Sequence, residues 1–319
     1  MTDFQMITAA AGRLSGMSAR TPLLNSPFLD EIAGRRLFVK AECLQRTGSF
    51  KFRGAWSALS NLPEDVRRKG VIAFSSGNHA QGVALAAKLH GVPAVIVMPH
   101  DAPKLKIDNT RDYGAEVVLY DRLTEDRDAI GARIAQERGL TLVRPFDEPL
   151  VIAGQGTVGL EIAEQAAESV IAGAEVLVPC GGGGLTSGIA LALEAHAGFR
   201  VRPCEPEDFD DTGRSLEAGE ICTNLPGGVS ICDAIVTPQP GKITFPIMKR
   251  LCGPGLTVSD GEVLEAMALA FLRLKIAIEP GGAVALAAAL FRKDEIAGDA
   301  VIAIASGGNA DPETFLKAF

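Results

Sequence analysis

At 319 residues, 47% hydrophobic and 22% charged, the chain is long enough for two lobes with substantial cores and too apolar to stay disordered. A net charge of −8, with Lys and Arg dispersed, argues against nucleic acid or an anionic membrane surface as the partner. The start of the sequence lacks a signal-peptide pattern, no apolar run reaches the length of a membrane span, and the six cysteines (Cys43, Cys180, Cys204, Cys222, Cys232, Cys252) show neither C-x-x-C nor zinc-finger spacing, so free thiols in a cytoplasmic protein are expected.

Residues 1–36 predict an opening helix and then an extended segment at Thr21-Pro22-Leu23-Leu24, because the residue before proline is pushed out of the α region. A strand is expected over 36–44, a turn over 45–49, and a helix opening at Phe50-Lys51-Phe52. Lys51 then lies between two aromatics at a helix N-terminus, where desolvation and the dipole both disfavour its charged form, and a neutral amine is a nucleophile. Taken alone, a lysine whose head reaches water is the commoner outcome.

From residue 71 the pattern turns regular: strands over 71–74, 92–98, 115–120 and 140–146 alternate with helices over 80–90, 104–113 and 124–138, the last capped by Thr124. That alternation means a small, mostly parallel sheet with right-handed crossovers. Asp147-Glu148-Pro149 reads as the crossing back, followed by a helix over 156–167 and the strand 175–179. Gly181-Gly182-Gly183-Gly184 then leads into a helix. Four residues without Cβ allow successive N–H groups to converge at a positive helix end, a cup for one phosphate; a tight turn that binds nothing is the alternative. A strand follows over 201–204, mostly loop over 205–245, helices over 261–274 and 281–290, and a last strand over 300–305 that runs into Ser306-Gly307-Gly308-Asn309. The expected fold class is α/β, with two doubly wound, mostly parallel-sheet domains: a small one over 67–146 inserted in a large one made of 1–66 and 147–319. In such sheets ligands bind beyond the carboxyl ends of the strands, where Ser75-Ser76-Gly77-Asn78-His79, the four glycines and Ser306 to Asn309 all fall.

Together with Ser49-Phe50-Lys51-Phe52-Arg53-Gly54, these three turns resemble the fold-type II (tryptophan synthase β-like) pyridoxal-phosphate enzymes, within them the threonine/serine dehydratases and serine racemases, over essentially the whole chain. The resemblance implies that Lys51 bonds the aldehyde of pyridoxal 5'-phosphate, that Phe50 packs on its ring, and that Gly181, Gly182, Gly183, Gly184 and Leu185 hold its phosphate through backbone N–H groups. It further implies that Asn78 bonds the ring hydroxyl, that Ser306 faces the pyridine nitrogen, and that Glu279 lies near the ring or merely caps the next helix. Ser75, Ser76, Asn78 and His79 would receive the substrate carboxylate; His79 reads equally as a histidine satisfying local backbone. Ser76 is similar to the second acid/base of the racemases, and Arg127 to a substrate-binding arginine. The implied reaction is β-elimination of water from a β-hydroxy amino acid, L-threonine or L-serine foremost, with Lys51 as the base at Cα, giving a 2-keto acid and ammonia.

Metal-dependent members place oxygen ligands where this chain has Glu205, the Phe209 carbonyl and Asp211, which implies a Mg²⁺ or Ca²⁺ site; without the family this is an acidic surface loop. Two departures stand out. Phe146 replaces an asparagine of the racemase pattern, and the region of the family's Ala-Asp-Gly turn reads Leu225 to Asp233. The resemblance also implies a homodimer. Alternatives are a racemase or a hydroxyaspartate dehydratase on the same scaffold, a β-replacement synthase, which typically carries Asn-Thr-Gly in place of Asn78-His79-Ala80, and a non-catalytic phospholigand sensor.

Overall fold

Two sheets organise the protein, whose computed structural model describes residues 2–75, 77–102 and 104–319. The smaller is fully parallel, in the order Glu116–Tyr120, Ala94–Pro99, Val71–Phe74, Thr141–Leu142. Every residue of Ala94–Pro99 is buried, as an apolar run requires when helices cover both faces of a parallel sheet. The larger runs Leu23–Asn25, Arg36–Lys40, Ala300–Ile304, Ala174–Pro179, Phe199–Pro206, Leu256–Val258, with only the first pair antiparallel. Its centre is fixed by Ile302, which pairs with Phe38 on one side and Val176 on the other. No helix among the described residues is long and apolar enough to cross a membrane.

Several boundaries differ from the expectation for identifiable reasons. The fourth small-sheet strand stops at Leu142, with one further ladder bond from Val143 N–H to the Ile72 carbonyl; Pro145 has no N–H to continue it, and the chain turns away. Thr124 is not the cap of the third helix. The helix is Arg127–Arg138, and the Asp126 carboxylate accepts from the N–H groups of Asp128 and Ala129. Pro149, expected in a crossing, is the first residue of the helix Pro149–Glu168, where its missing N–H costs nothing. The stretch expected to be mostly loop contains the helix Asp211–Ala218, closed by Gly219, and the start of Thr244–Leu251. The helix Asp260–Leu269 gives way to a π turn, Ala270–Leu274, so its α-helical part ends at Leu269 rather than at 274.

A buried ionic quartet pins the start of the Lys51–Asn61 helix. Arg53, 1% exposed, donates to both oxygens of Glu42 at 2.8 Å and to Glu161 at 2.7 Å. Lys40, fully buried, uses its three protons on Glu161, Gln165 and the Thr21 carbonyl. Two cations face two carboxylates and the remaining donors are occupied, the condition under which buried charge is tolerated.

Candidate active site

The strands Val71–Phe74, Ala174–Pro179 and Ala300–Ile304 all end at one cavity of about 720 Å³ between the sheets. Lys51, Asn78, the four glycines, Glu279 and Ser306 share its wall. Lys51 opens its helix with Nζ 5.0 Å from the centre of the Phe50 ring and 2.9 Å from the Pro145 carbonyl. Burial lowers its pKa to about 8, although the nearby Glu279 charge pulls the other way. The amine therefore gives up its proton more readily than a solvated lysine, as the flanking aromatics suggested. Phe50 N–H donates to the Ser306 carbonyl at 3.2 Å, so the lysine and the last strand's turn are physically tied.

The glycine turn has the shape of an anion cradle. Gly183 adopts φ +86°, which only glycine tolerates readily, and a Cβ on Gly182 would lie 2.2 Å from the Phe146 ring. Among the described residues, none accepts a hydrogen bond from the N–H of Gly182, Gly183 or Gly184, and the helix Gly184–Leu193 adds its positive end. The Thr186 hydroxyl on the first turn of that helix is buried, lines the cavity and has no partner among the described residues. Leu185 lies on the same wall, 3% exposed. Bare main-chain donors, an unused hydroxyl and no cation fit a phosphate group, with Lys51 facing the same space. Thr186 was missed in the sequence because one threonine in a helix carries no signal; its position two residues after the glycines could have suggested it.

Asn78 sits at the head of the helix Asn78–His90, its amide donating to Glu279 and accepting from Asn309 Nδ2 at 2.7 Å. Asn309 also donates to the Thr47 carbonyl at 2.8 Å, closing a polar chain under the cavity. Burial raises the Glu279 pKa to about 7, with the Asn78 hydrogen bond opposing. Ser306 is 6% exposed and lines the same cavity. Ser75 Oγ accepts from Gly77 N–H at 3.2 Å; Ser76 lies outside the described residues.

His79 is placed differently from its neighbours. Its ring is buried and Nε2 donates to the Val143 carbonyl at 2.9 Å, which leaves Nδ1 a bare acceptor. Burial and the Lys51 charge hold its pKa down, to about 3, so the ring stays neutral. A neutral acceptor nitrogen does not bind a carboxylate, and this geometry favours the backbone-satisfying role over substrate contact. Arg127 lines the cavity rim, half exposed, with its guanidinium 5.9 Å from the Phe74 ring centre.

Glu205, Phe209 and Asp211 lie outside the cavity wall. The Glu205 carboxylate accepts from Thr212 N–H at 2.9 Å and Gly213 N–H at 2.7 Å, and so stands beside Asp211 at a helix start. Asp211 Oδ1 takes the Asn224 amide, while its buried Oδ2 has no partner among the described residues. Among the described residues no set of three His, Cys, Asp or Glu is arranged to hold a metal.

The sequence pattern of the family described as "Pyridoxal-phosphate dependent enzyme" matches residues 14–307. The chain belongs to this family. It is similar to an L-threo-3-hydroxyaspartate ammonia-lyase of a Pseudomonas species, 45% identical over 99% of this chain and 98% of that one. It is also similar to a serine racemase of Oryza sativa subsp. indica, 40% identical over 97% of this chain and 91% of the relative. Among solved structures, a threonine deaminase from T.th. superposes with a TM-score of 0.91 at 45% identity, covering 97% and 99% of the two chains. The fold is thus the α/β architecture of fold-type II enzymes, and pyridoxal phosphate is the cofactor for which the Gly181–Gly184 cradle and Lys51 are to be judged.

Proposed function

We propose that the protein is a pyridoxal-phosphate-dependent ammonia-lyase that eliminates the β-hydroxyl of an amino acid such as L-threonine or L-serine and releases a 2-keto acid and ammonia. The observation that carries this reading is one cavity in which a lysine with a depressed pKa shares the wall with a cradle of backbone donors. In this reading Gly181 to Gly184, Leu185 and the Thr186 hydroxyl hold the phosphate, Phe50 packs on the ring, Asn78 meets its hydroxyl and Ser306 its nitrogen, with Glu279 holding Asn78. When bound, the cofactor supplies an aldehyde that bonds amines and a conjugated ring that takes up the electron pair left by a departing proton. Lys51 Nζ, which burial makes readier to give up its own proton, takes the Cα proton and can return one to the leaving oxygen. A serine hydroxyl at Ser306, unlike a carboxylate, does not keep the ring nitrogen protonated, which favours loss of a β-group over transamination. The N–H groups at the start of Asn78–His90, with Ser75, receive the substrate carboxylate, and Arg127 stands at the mouth. Ser76, outside the described residues, is proposed as the second acid/base.

The wider reading includes a lobe of 67–146 inserted between 1–66 and 147–319, supported by the separate strand membership of the two sheets. It also includes a homodimer, and a cytoplasmic location, consistent with six free cysteines. A Mg²⁺ or Ca²⁺ on Glu205, the Phe209 carbonyl and Asp211 is supported by two adjacent carboxylates and the unpartnered Asp211 Oδ2. Chelation is then expected to lower the melting temperature by several degrees; an unchanged melting curve in excess chelator removes the site.

The deciding assay is keto-acid formation from L- and D-serine, L- and D-threonine and 3-hydroxyaspartate by protein reconstituted with pyridoxal phosphate. Keto acid from at least one L-substrate is expected. Interconversion of serine enantiomers without keto acid would replace the lyase reading by the racemase.

A further inference from the structure

One enclosed cation of the cavity has no part in the chemistry above. Lys106, on the helix Lys104–Asp112, is 8% exposed and lines both the main cavity and a smaller one of about 210 Å³ beside it. Its Nζ lies 3.9 Å from where a Cβ on Gly77 would stand, next to the turn that takes the substrate carboxylate. In this structure the amine holds the carboxylate of Asp233, at 2.5 Å and 127 residues away, and Asp233 is itself more than half exposed. The pair joins an element of the small sheet's unit to a loop of the large one, and both residues line the cavity. Besides Asp233, the facing charges are Glu279 and, across the smaller cavity, Asp311. Arg127 and Arg144 also line the main cavity but are exposed.

We propose that Lys106 is a specificity-determining residue that binds a second carboxylate on the β-carbon of the substrate, with the Asp233 carboxylate occupying that position until such a substrate displaces it. The inference rests on the ammonia-lyase reading and deepens it. A carboxylate entering an enclosed cavity loses its water, and that loss is offset only by a paired charge. The α-carboxylate is served by main-chain N–H groups at a helix start, so an additional buried ammonium is surplus for serine or threonine and required for a dicarboxylate. The β-substituent of a substrate seated on the Ser75 to His79 turn lies within reach of an amine placed beside Gly77. Asp233, exposed enough to swing into solvent, keeps the ammonium neutralised meanwhile.

The test uses holoenzyme. Succinate is expected to raise the melting temperature more than butyrate at equal concentration, and Lys106→Met to erase that difference while Lys106→Arg keeps it. In turnover, Lys106→Met is expected to lower the ratio of kcat/KM for L-threo-3-hydroxyaspartate to that for L-threonine by roughly ten- to a hundredfold, the worth of one charged hydrogen bond. Asp233→Asn, which frees the amine, is expected to raise the same ratio. A succinate advantage that persists in Lys106→Met, or an equal loss for both substrates, overturns the proposal. Should the wild type form keto acid from neither substrate, the lyase reading fails, and the succinate and butyrate comparison still decides the role of Lys106.

Discussion

Lys51→Ala is expected to abolish keto-acid formation, with a loss on the order of 10,000-fold or more, because on the proposed roles one substitution removes both the covalent anchor and the base at Cα. Borohydride, which should bleach the visible band of the wild-type holoenzyme into a stable adduct, is expected to leave no protein-bound adduct in the variant. Full turnover by Lys51→Ala would overturn the assignment. Stability should move the other way. The folded apoprotein holds this lysine at a pKa of about 8, below its ordinary 10.5, so at pH below 8 folding forces a charged amine into an unfavourable environment. Between those two values the unfolded chain binds more protons than the folded one, wild-type stability rises with pH, and the penalty vanishes above both. Apo Lys51→Ala should therefore melt no lower than wild type below pH 8, any advantage fading toward pH 10.5. A stability difference between the two apoproteins that stays constant from pH 7 to pH 10.5 would show that the amine is not desolvated.

The second large effect is expected at Arg53. Arg53→Met leaves Glu42 and Glu161 with only Lys40 to balance them inside the protein, and unpaired buried charge of this kind costs about 3–5 kcal/mol. At the usual slope for a chain of this size the melting temperature should drop by roughly 10 °C. Adding Glu42→Gln, which restores neutrality, should recover part of the loss. A single variant within about 1 °C of wild type would show that the quartet is hydrated rather than dry.

Much of the site could be read from residue types because its chemistry is local. A cradle built of four adjacent glycines announces itself, and Phe50-Lys51-Phe52 carries its own desolvation. The alternation of strand and helix over 71–120 was equally plain, since a sheet covered on both faces writes its strands as unbroken apolar runs. What escaped depended on distance. The pairing of Lys106 with Asp233 and the chain Thr47, Asn309, Asn78, Glu279 join residues up to 262 positions apart, and nothing in either partner's neighbourhood marks the other. The helix Asp211–Ala218 was hidden because its N-terminal donors are satisfied by Glu205 from a neighbouring strand, not by a local cap. For His79 the sequence left a substrate contact and a local backbone role equally open, and it could not name the ring's partner, a backbone carbonyl 64 residues on.

The division of labour between the two sheets has a consequence for how such a protein changes over time. Cradle, Lys51 and Ser306 are held by the six-stranded sheet and its loops, whereas the Ser75 turn, Lys106 and Arg127 follow strands of the four-stranded one. Substitutions on the smaller framework can redraw the list of acceptable amino acids without shifting the register that aims the reactive amine.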